Sequence, residues 1–441
     1  MVRLRVEAPR PTQDDDNRPA VEAAIREGSQ LHPSQNTVNV TLAGVEPGRT
    51  YNQVVQEVYK DEMRRSRELA ALAGVAETRS PVDEFATWHE LEAAHHFNET
   101  ADCRCVGLVI ETRPDHISAE EVLRVRRLGC TKVQIGFQSL DDDVLRLNKR
   151  GHDVAATRRA VKLLRAAGFK IHAHWMPNLY GSDVENDLRD YERMFDDPDF
   201  RPDELKIYPC SLIESAELMR VYQRGDWQPY THEQLLEVVT GVLQRTPEYC
   251  RLTRVIRDIP STDIVDGNTH TNFRQMAEQA MAKRGERSAD IRAREVRHKT
   301  VGRDELHLDE QHYTASTGDE VFLQYITDER EIAGFLRLSL PTGERLTPEL
   351  DSAAMVREVH VYGQAVNVGE AGEGHAQHSG LGTALLERAA EIARERGYTS
   401  LAVISAVGTR GYYRSRGFTD GTLYQHLAIA FSACGAVSSS L

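Results

Sequence analysis

The feature that most limits how this chain can fold is a regular alternation of short apolar runs with helical segments between residues 106 and 209. Val106-Gly107-Leu108-Val109-Ile110 reads as a buried strand that ends in the polar turn Glu111-Thr112-Arg113-Pro114-Asp115, and a helix is expected over Ala119–Leu128. Lys132–Ser139 is the second strand, Val154–Ala167 the next helix and Phe169–Pro177 the third strand; after another helix, Leu205–Pro209 is strand-like. Such alternation implies crossover connections and a parallel sheet. Polar residues gather where these strands end, which is where barrel-type sheets carry their sites. Turn residues capping strands account for any one of these clusters, but poorly for four in succession.

A different arrangement follows near the C-terminus. Val356–Val361 has strand composition, Gln377-His378-Ser379-Gly380-Leu381-Gly382 opens a helix that runs to about Arg396, and Leu401–Ile404 is a short apolar run. The two glycines let backbone N–H groups approach an anion, and the helix N-terminus adds the positive end of its dipole. Ala384, Leu385, Ala389, Ile392 and Ala393 give the helix a buried face. A lone Gly-x-Gly before a helix is also an ordinary tight turn, so its context has to decide.

A chain of 441 residues, 40% hydrophobic and 28% charged, is that of a soluble globular protein with two or three domains. No apolar run approaches a membrane span, Leu427–Ala433 is too short to anchor anything, and Met1–Arg10 is no signal peptide. Six cysteines without paired spacing suit a reducing cytoplasm. The formal net charge of −14 argues against polyanion binding by the whole surface and leaves room for local basic patches. Arg251, Arg254 and Arg257 recur every three residues, with Arg274, Arg292, Arg294, Arg297 and Lys299 close behind, and they are expected to form a phosphate-binding surface. Asp258 and Glu295 are the nearby acids that would instead pair with some of them. Tyr208 and Trp227 are open to either a stacking or a core role.

Upstream, residues 1–43 are polar and read as an extension or docking arm. Tyr51–Ala76 has the pattern of an amphipathic helix, and Trp88–Phe97 is expected to be helical with His89, His95 and His96 on it. No further ligand follows at a recognisable spacing, so these histidines are read as solvated and no metal ligand is assigned.

Gln377-x-x-Gly380-x-Gly382 resembles the pyrophosphate motif of the GCN5-related N-acetyltransferases. Gly408–Phe418 resembles that fold's closing segment, in which a tyrosine lies beside the thioester sulfur. Ile110–Asp115, Gln134–Ser139, Asn148–His152, His172–Leu179, Leu205–Pro209, Arg254–Pro260 and Arg292–Val296 resemble the radical-SAM domain of the Elongator catalytic-subunit family. Arg357–Gly363 and Ala376-Gln377-His378 match the same family. The fold implied is a partial TIM-like α/β barrel at 44–299, after the 1–43 extension, followed by a GCN5-related acetyltransferase domain at 300–441.

The resemblance implies an acyltransferase of tRNA processing, in which acetyl-CoA supplies the carbon for a carboxymethyl group on C5 of the wobble uridine. Acetyl-CoA would be held by Glu358, Val359, His360, Val361, Ala376, Gln377, His378, Gly380 and Gly382. Tyr412 is the catalytic candidate and Tyr413 its rival. Glu111, Arg113 and Gln138 would face S-adenosyl-L-methionine. The anticodon stem-loop of tRNA is the expected partner, with contacts assigned from charge to Arg251, Arg254, Arg257, Arg274, Arg292 and Arg294; a homodimer or other Elongator-type subunits are left open. Two other readings stand beside this one, a protein lysine acetyltransferase and a non-catalytic tRNA-binding scaffold.

The match breaks at one place. Radical chemistry in the family needs three cysteines in a short run to hold an iron–sulfur cluster. Here Cys103 and Cys105 lie beside the first strand of the alternation, and Cys130, Cys210, Cys250 and Cys434 are isolated. The cluster is therefore expected to be absent, with tRNA and acetyl-CoA binding retained.

Overall fold

The computed structural model describes residues 86–256, 259, 263–297, 299, 301–343, 345–362 and 380–429. The expected extension at 1–43 and the helix at Tyr51–Ala76 lie outside these residues, as do Arg257, Ala376, Gln377 and His378. The chain divides into two compact units, 1–93 and 94–441, and the two lobes below both belong to the second.

The first lobe follows α1 (Trp88–Glu99), a helix with no buried residue. In chain order it comprises β1 (Val109–Thr112), α2 (Ala119–Arg127), β2 (Lys132–Gln138), α3 (Asp142–Leu147), α4 (Val154–Ala166) and β3 (Lys170–Trp175). There follow α5 (Val184–Asp196), β4 (Glu204–Ile207), β5 (Leu212–Ile213), α6 (Leu218–Gln223), α7 (His232–Arg245), β6 (Arg251–Val255), β7 (Ile264–Asp266), α8 (Phe273–Ala282) and α9 (Ile291–Arg294). β1, β2, β3, β4 and β6 form an all-parallel sheet in that order, the partial barrel that the alternation calls for. Most of the covering helices start at a side-chain cap: Ser118, Asp141, Asp153, Asp183 and Thr231 each accept a backbone N–H of the first turn. One expectation fails. Among the described residues β1 is not a buried strand but stands at the sheet edge, paired on one side, with Val106 and Val109 exposed.

The second lobe is a seven-stranded sheet of β8 (His307–Ala315), β9 (Gly318–Ile326), β10 (Ile332–Pro341), β11 (Ala353–Val361), β12 (Ser400–Val403), β13 (Thr419–Asp420) and β14 (Gln425–Ala428). Its order is β13-β14-β12-β11-β10-β9-β8, antiparallel except where β11 meets β12. The helix α10 (Leu381–Glu395) lays Leu385, Leu386, Ala389, Ile392 and Ala393 against one face, within a core that includes Val321, Leu336 and Val356. A short α11 (Arg410–Arg414) follows β12.

The other face of that sheet packs on the barrel lobe. Phe322, Phe335, Ala353 and Met355 belong to the same hydrophobic cluster as Ile135, Ile171, Leu205 and Leu252. Buried charges cross this junction. Asp203, just before β4, accepts from Arg357 of β11 at 2.6 and 2.8 Å, and Arg337 of β10 lies 3.6 Å away. Arg357 also meets Glu320 at 2.9 Å, and Arg165 of α4 lies 3.4 Å from Glu320. All five side chains are essentially without solvent contact. Burial alone would raise the Asp203 carboxyl, but Arg357 and then Arg337 hold it well below the usual carboxylate range.

Removing one partner of such a cluster leaves an uncompensated buried charge. Asp203→Asn is expected to cost about 3–5 kcal/mol in chemical denaturation. The folded value is depressed, so this contribution is fully present above about pH 4 and is lost as pH falls below the unfolded carboxylate value. The wild-type chain should show that acid-dependent loss and Asp203→Asn should not; parallel pH profiles for the two would contradict the assignment.

Candidate functional site

β11 and β12 pair in parallel only from Ala353 to Val356, against Ser400 to Val403, and then part. Beyond that point β11 continues to Val361 with β10 alone as its strand partner: Glu358, Val359, His360 and Val361 lie opposite Arg337, Leu336, Phe335 and Gly334. The second edge of residues 358–361 thus carries no strand among the described residues, and its backbone groups face a cleft. α10 points its N-terminus at the same place. Its cap is Gly380, at φ +72°, and no side chain caps it. The left-handed backbone is the reason for glycine at 380, because a Cβ there would meet open space. At 382 the reason is proximity: a Cβ would sit 2.5 Å from the Tyr412 hydroxyl and 3.7 Å from Val361 Cγ2. The end of β11, the start of α10 and Tyr412 of α11 therefore converge on Gly382.

The two tyrosines part company. Tyr412 is 38% exposed and aims its hydroxyl at Gly382, with the Arg416 guanidinium 3.6 Å from its ring centroid. Tyr413 is buried in the α10 core, edge-on to Phe418 at 5.5 Å. Burial raises both phenols, and the Arg416 charge works against that rise.

Glu358 does not offer its side chain to the cleft. Its carboxylate accepts from Arg337 Nε at 2.9 Å and pairs with Lys170 at the start of β3. Burial would raise Glu358, but Lys170 and Arg337 hold it below its ordinary value. Lys170 lies 3.3 Å from Glu204, which also takes Lys132 at 2.8 Å and His172 at 3.3 Å. His360 stacks on Phe335 at 5.7 Å, Val359 packs toward the α10 core, and Val361 joins Leu381, Val296 and Ala333 in a small cluster.

A second polar group lies toward the carboxyl ends of the barrel strands. Glu111 of β1 is 3.8 Å from His174 Nδ1; His174 Nε2 is 3.0 Å from Gln134 Oε1, and Lys206 donates to the same oxygen. Tyr208 sets its ring edge-on to His174 at 5.8 Å. Gln138 closes β2 at φ +65°, and Arg113 binds Asp115 at 2.7 Å while lying against Gly151, where a Cβ would come 2.6 Å from its Nη2. Gln134, His172, His174 and Lys206 were not singled out from the sequence, although a signal exists. Lys132/Gln134, Lys170/His172/His174 and Glu204/Lys206 repeat every second residue on three adjacent strands, a polar stripe in otherwise apolar runs. Burial pushes His172 down to about 3, so it is neutral.

Three of the expected RNA-binding arginines are spent inside the fold. Arg251 pairs with Glu295 and donates to the Tyr362 hydroxyl at 2.7 Å; Arg274 binds Glu278 and Asp290, each at 2.7 Å; Arg294 donates to Gln324 and to the Glu248 carbonyl, each at 2.9 Å. Arg254 and Arg292 are exposed, and Arg292 donates to the Thr253 carbonyl.

The cleft at Gly382 fits a nucleotide thioester: backbone donors at a helix start, an open strand edge and a phenol. Among the described residues the cysteines do not come together as a ligand set for an iron–sulfur cluster. Cys130 and Cys250 are buried, with thiols raised by burial, Cys210 is raised to about 11, and Cys103 and Cys105 are exposed with one residue between them. Among the described residues no group of three His, Cys, Asp or Glu side chains could hold a metal ion, and no helix is long and apolar enough to cross a membrane.

The sheet order and the parted strands define an acetyltransferase lobe fused to a radical-SAM-type half-barrel. Family profiles agree: the radical SAM superfamily matches residues 21–191, the radical SAM C-terminal domain 202–283 and the GNAT acetyltransferase family 289–418. The chain is 40% identical over 351 residues to the tRNA uridine(34) acetyltransferase of Dehalococcoides mccartyi, covering 76% of this chain and 75% of the relative. It is 37% identical over 345 residues to Elongator complex protein 3 of Schizosaccharomyces pombe, covering 76% and 63%. The solved archaeal Methanocaldococcus infernus Elp3 with an N-terminal deletion superposes with a TM-score of 0.72 at 37% identity, covering 76% of this chain and 81% of that one. The chain belongs to the tRNA uridine(34) acetyltransferase and Elongator complex protein 3 family. Its match spans 62% of the length of the Methanocaldococcus jannaschii relative.

Gly382→Ala is expected to lower the thermal midpoint, and to do so less when Tyr412→Phe removes the oxygen that the methyl would meet. A coupling of at least about 0.5 kcal/mol is expected. Equal cost in both backgrounds would place the Tyr412 hydroxyl elsewhere.

Proposed function

We propose that this chain serves wobble-uridine modification of tRNA, binding acetyl-CoA in the cleft at Gly382 and binding tRNA, the substrates of the reaction for which its relatives are named, without itself carrying the radical step. The convergence of β11, α10 and Tyr412 on Gly382 is the observation that carries this reading. Acetyl-CoA, when bound, supplies an activated acetyl group. The N–H groups of Leu381 and Gly382 hold the diphosphate, the open edge of residues 358–361 pairs with the pantetheine amides, and Tyr412 Oη donates to the leaving sulfur. By their resemblance to the family's motif, Gln377 and His378 are assigned to the same diphosphate site. The work is divided between a barrel lobe taken as 44–299 and an acetyltransferase lobe taken as 300–441, in the cytoplasm, where tRNA is found.

A protein lysine acetyltransferase needs a base beside the thioester. Glu358, the acid on β11, is tied to Lys170 and Arg337, which weighs against that reading. For RNA, Arg254 and Arg292 remain at the surface, with Lys206 on the strand next to β6, and Arg257 lies outside the described residues. The 5-carboxymethyl outcome belongs to the family's radical step, for which Glu111, Arg113 and Gln138 line the barrel mouth. The six cysteines contain no run of three, so we assign this chain no radical step.

Tyr412→Phe should lower acetyl-CoA hydrolysis by about 100-fold with the fold unchanged; loss in Tyr413→Phe alone would transfer the role. Arg254→Glu with Arg292→Glu should weaken all tRNAs alike and flatten the salt dependence by about one unit per lost phosphate contact; normal binding at low salt removes this surface. Incubation with S-adenosylmethionine and dithionite after anaerobic reconstitution should yield no 5′-deoxyadenosine above a protein-free control. Its appearance would mean that the scattered thiols do assemble a cluster.

A further inference from the structure

Arg416 follows α11, and its guanidinium reaches back to the first turn of α10. Nε donates to Thr383 Oγ1 at 3.2 Å, and Nη1 donates to the Tyr412 carbonyl at 3.0 Å and to Ser415 Oγ at 3.2 Å, while the group lies over the Tyr412 ring. Among the described residues every one of these partners is neutral. The neighbouring cations are placed differently. Arg410 binds Glu99 at 2.9 Å, Arg414 binds Glu99 at 2.7 Å and also Asp420, and Arg388 binds Glu310 at 2.7 Å.

This placement is unfavourable in the ligand-free chain. A cation is repelled by the N-terminal end of a helix dipole, and here no described carboxylate offsets the repulsion. An anion bound between the two would turn the repulsion into two attractions, and a guanidinium presents paired donors that match phosphate oxygens. We propose that Arg416 is the side chain that binds the diphosphate of the acetyl-CoA site, donating to it beside the N–H groups of Leu381 and Gly382. Its stacking on Tyr412 then ties cofactor binding to the position of the phenol. The proposal rests on the acetyl-CoA reading of this cleft.

Calorimetric titration of the full chain with CoA and with 3′-dephospho-CoA tests it, using wild type, Arg416→Gln, Arg416→Lys and Arg414→Gln, each first checked for an unchanged circular dichroism spectrum. Arg416→Gln should weaken both ligands on the order of 10-fold or more, and Arg416→Lys should recover part of the loss. Arg414→Gln, whose charge is already paired, should bind as wild type does. Wild-type affinity in Arg416→Gln overturns the proposal, and so does a loss seen with CoA but not with 3′-dephospho-CoA, which would move the contact to the 3′-phosphate. A wild-type chain that binds neither ligand removes the acetyl-CoA reading itself, and then no variant differs from it.

Discussion

Asp203 is buried without solvent contact, and its partners Arg357 and Arg337 come from the other lobe. The same residue holds the local fold together. Its carboxylate accepts the Ile171 N–H at the start of β3, its N–H donates to the Ile171 carbonyl, and its carbonyl accepts from Arg251 at the start of β6. One aspartate therefore fixes the amino ends of three barrel strands and bolts them to two strands of the acetyltransferase sheet. Charges desolvated to this degree tolerate little misalignment, since each lost contact leaves a buried ion unpaired. The two lobes consequently behave as one body with a shared hydrophobic core.

That bolt sets where the chemistry lies. β11 supplies Arg357 to the junction and, from residue 358 onward, the open edge of the cleft. Glu358 meets Lys170 at the amino end of the barrel strands, while Glu111, His174 and Lys206 sit nearer the carboxyl ends. Lys170 and His174 are four residues apart on one strand, about 13 Å. The polar stripe between them is lined by Gln134, His172 and Glu204, so a continuous hydrophilic face runs from the acetyltransferase sheet to the barrel mouth. Under the proposed function, RNA at the mouth and a thioester in the cleft would share one frame.

The sequence carried the local part of this architecture. Strand alternation placed β2, β3 and β4 to within two residues, and the glycines at 380 and 382 marked the cleft, because period and turn chemistry are local properties. What it hid were pairings across long separations. Arg251 finds Tyr362, 111 residues away, and Arg294 finds Gln324 and the Glu248 carbonyl; a cluster of arginines in the sequence cannot reveal that its charges are already spent. β1 reads as buried from its apolar run, which is the same whether one or two strands flank it, yet among the described residues only β2 pairs with it. The stripe of Lys132, Gln134, His172, His174 and Lys206 was readable as a period of two and was passed over, since each residue alone resembles a strand-end polar group. Which of Tyr412 and Tyr413 is buried depends on the direction of α11, which no spacing rule supplies.

The central claim is that the acetyl-CoA cleft and the RNA surface belong to one coupled machine. Its most direct test is the rate of CoA release from acetyl-CoA by the full chain as an anticodon stem-loop is titrated in. The account predicts a saturable rise in rate with stem-loop concentration. Hydrolysis that proceeds at the same rate with and without bound RNA would contradict it.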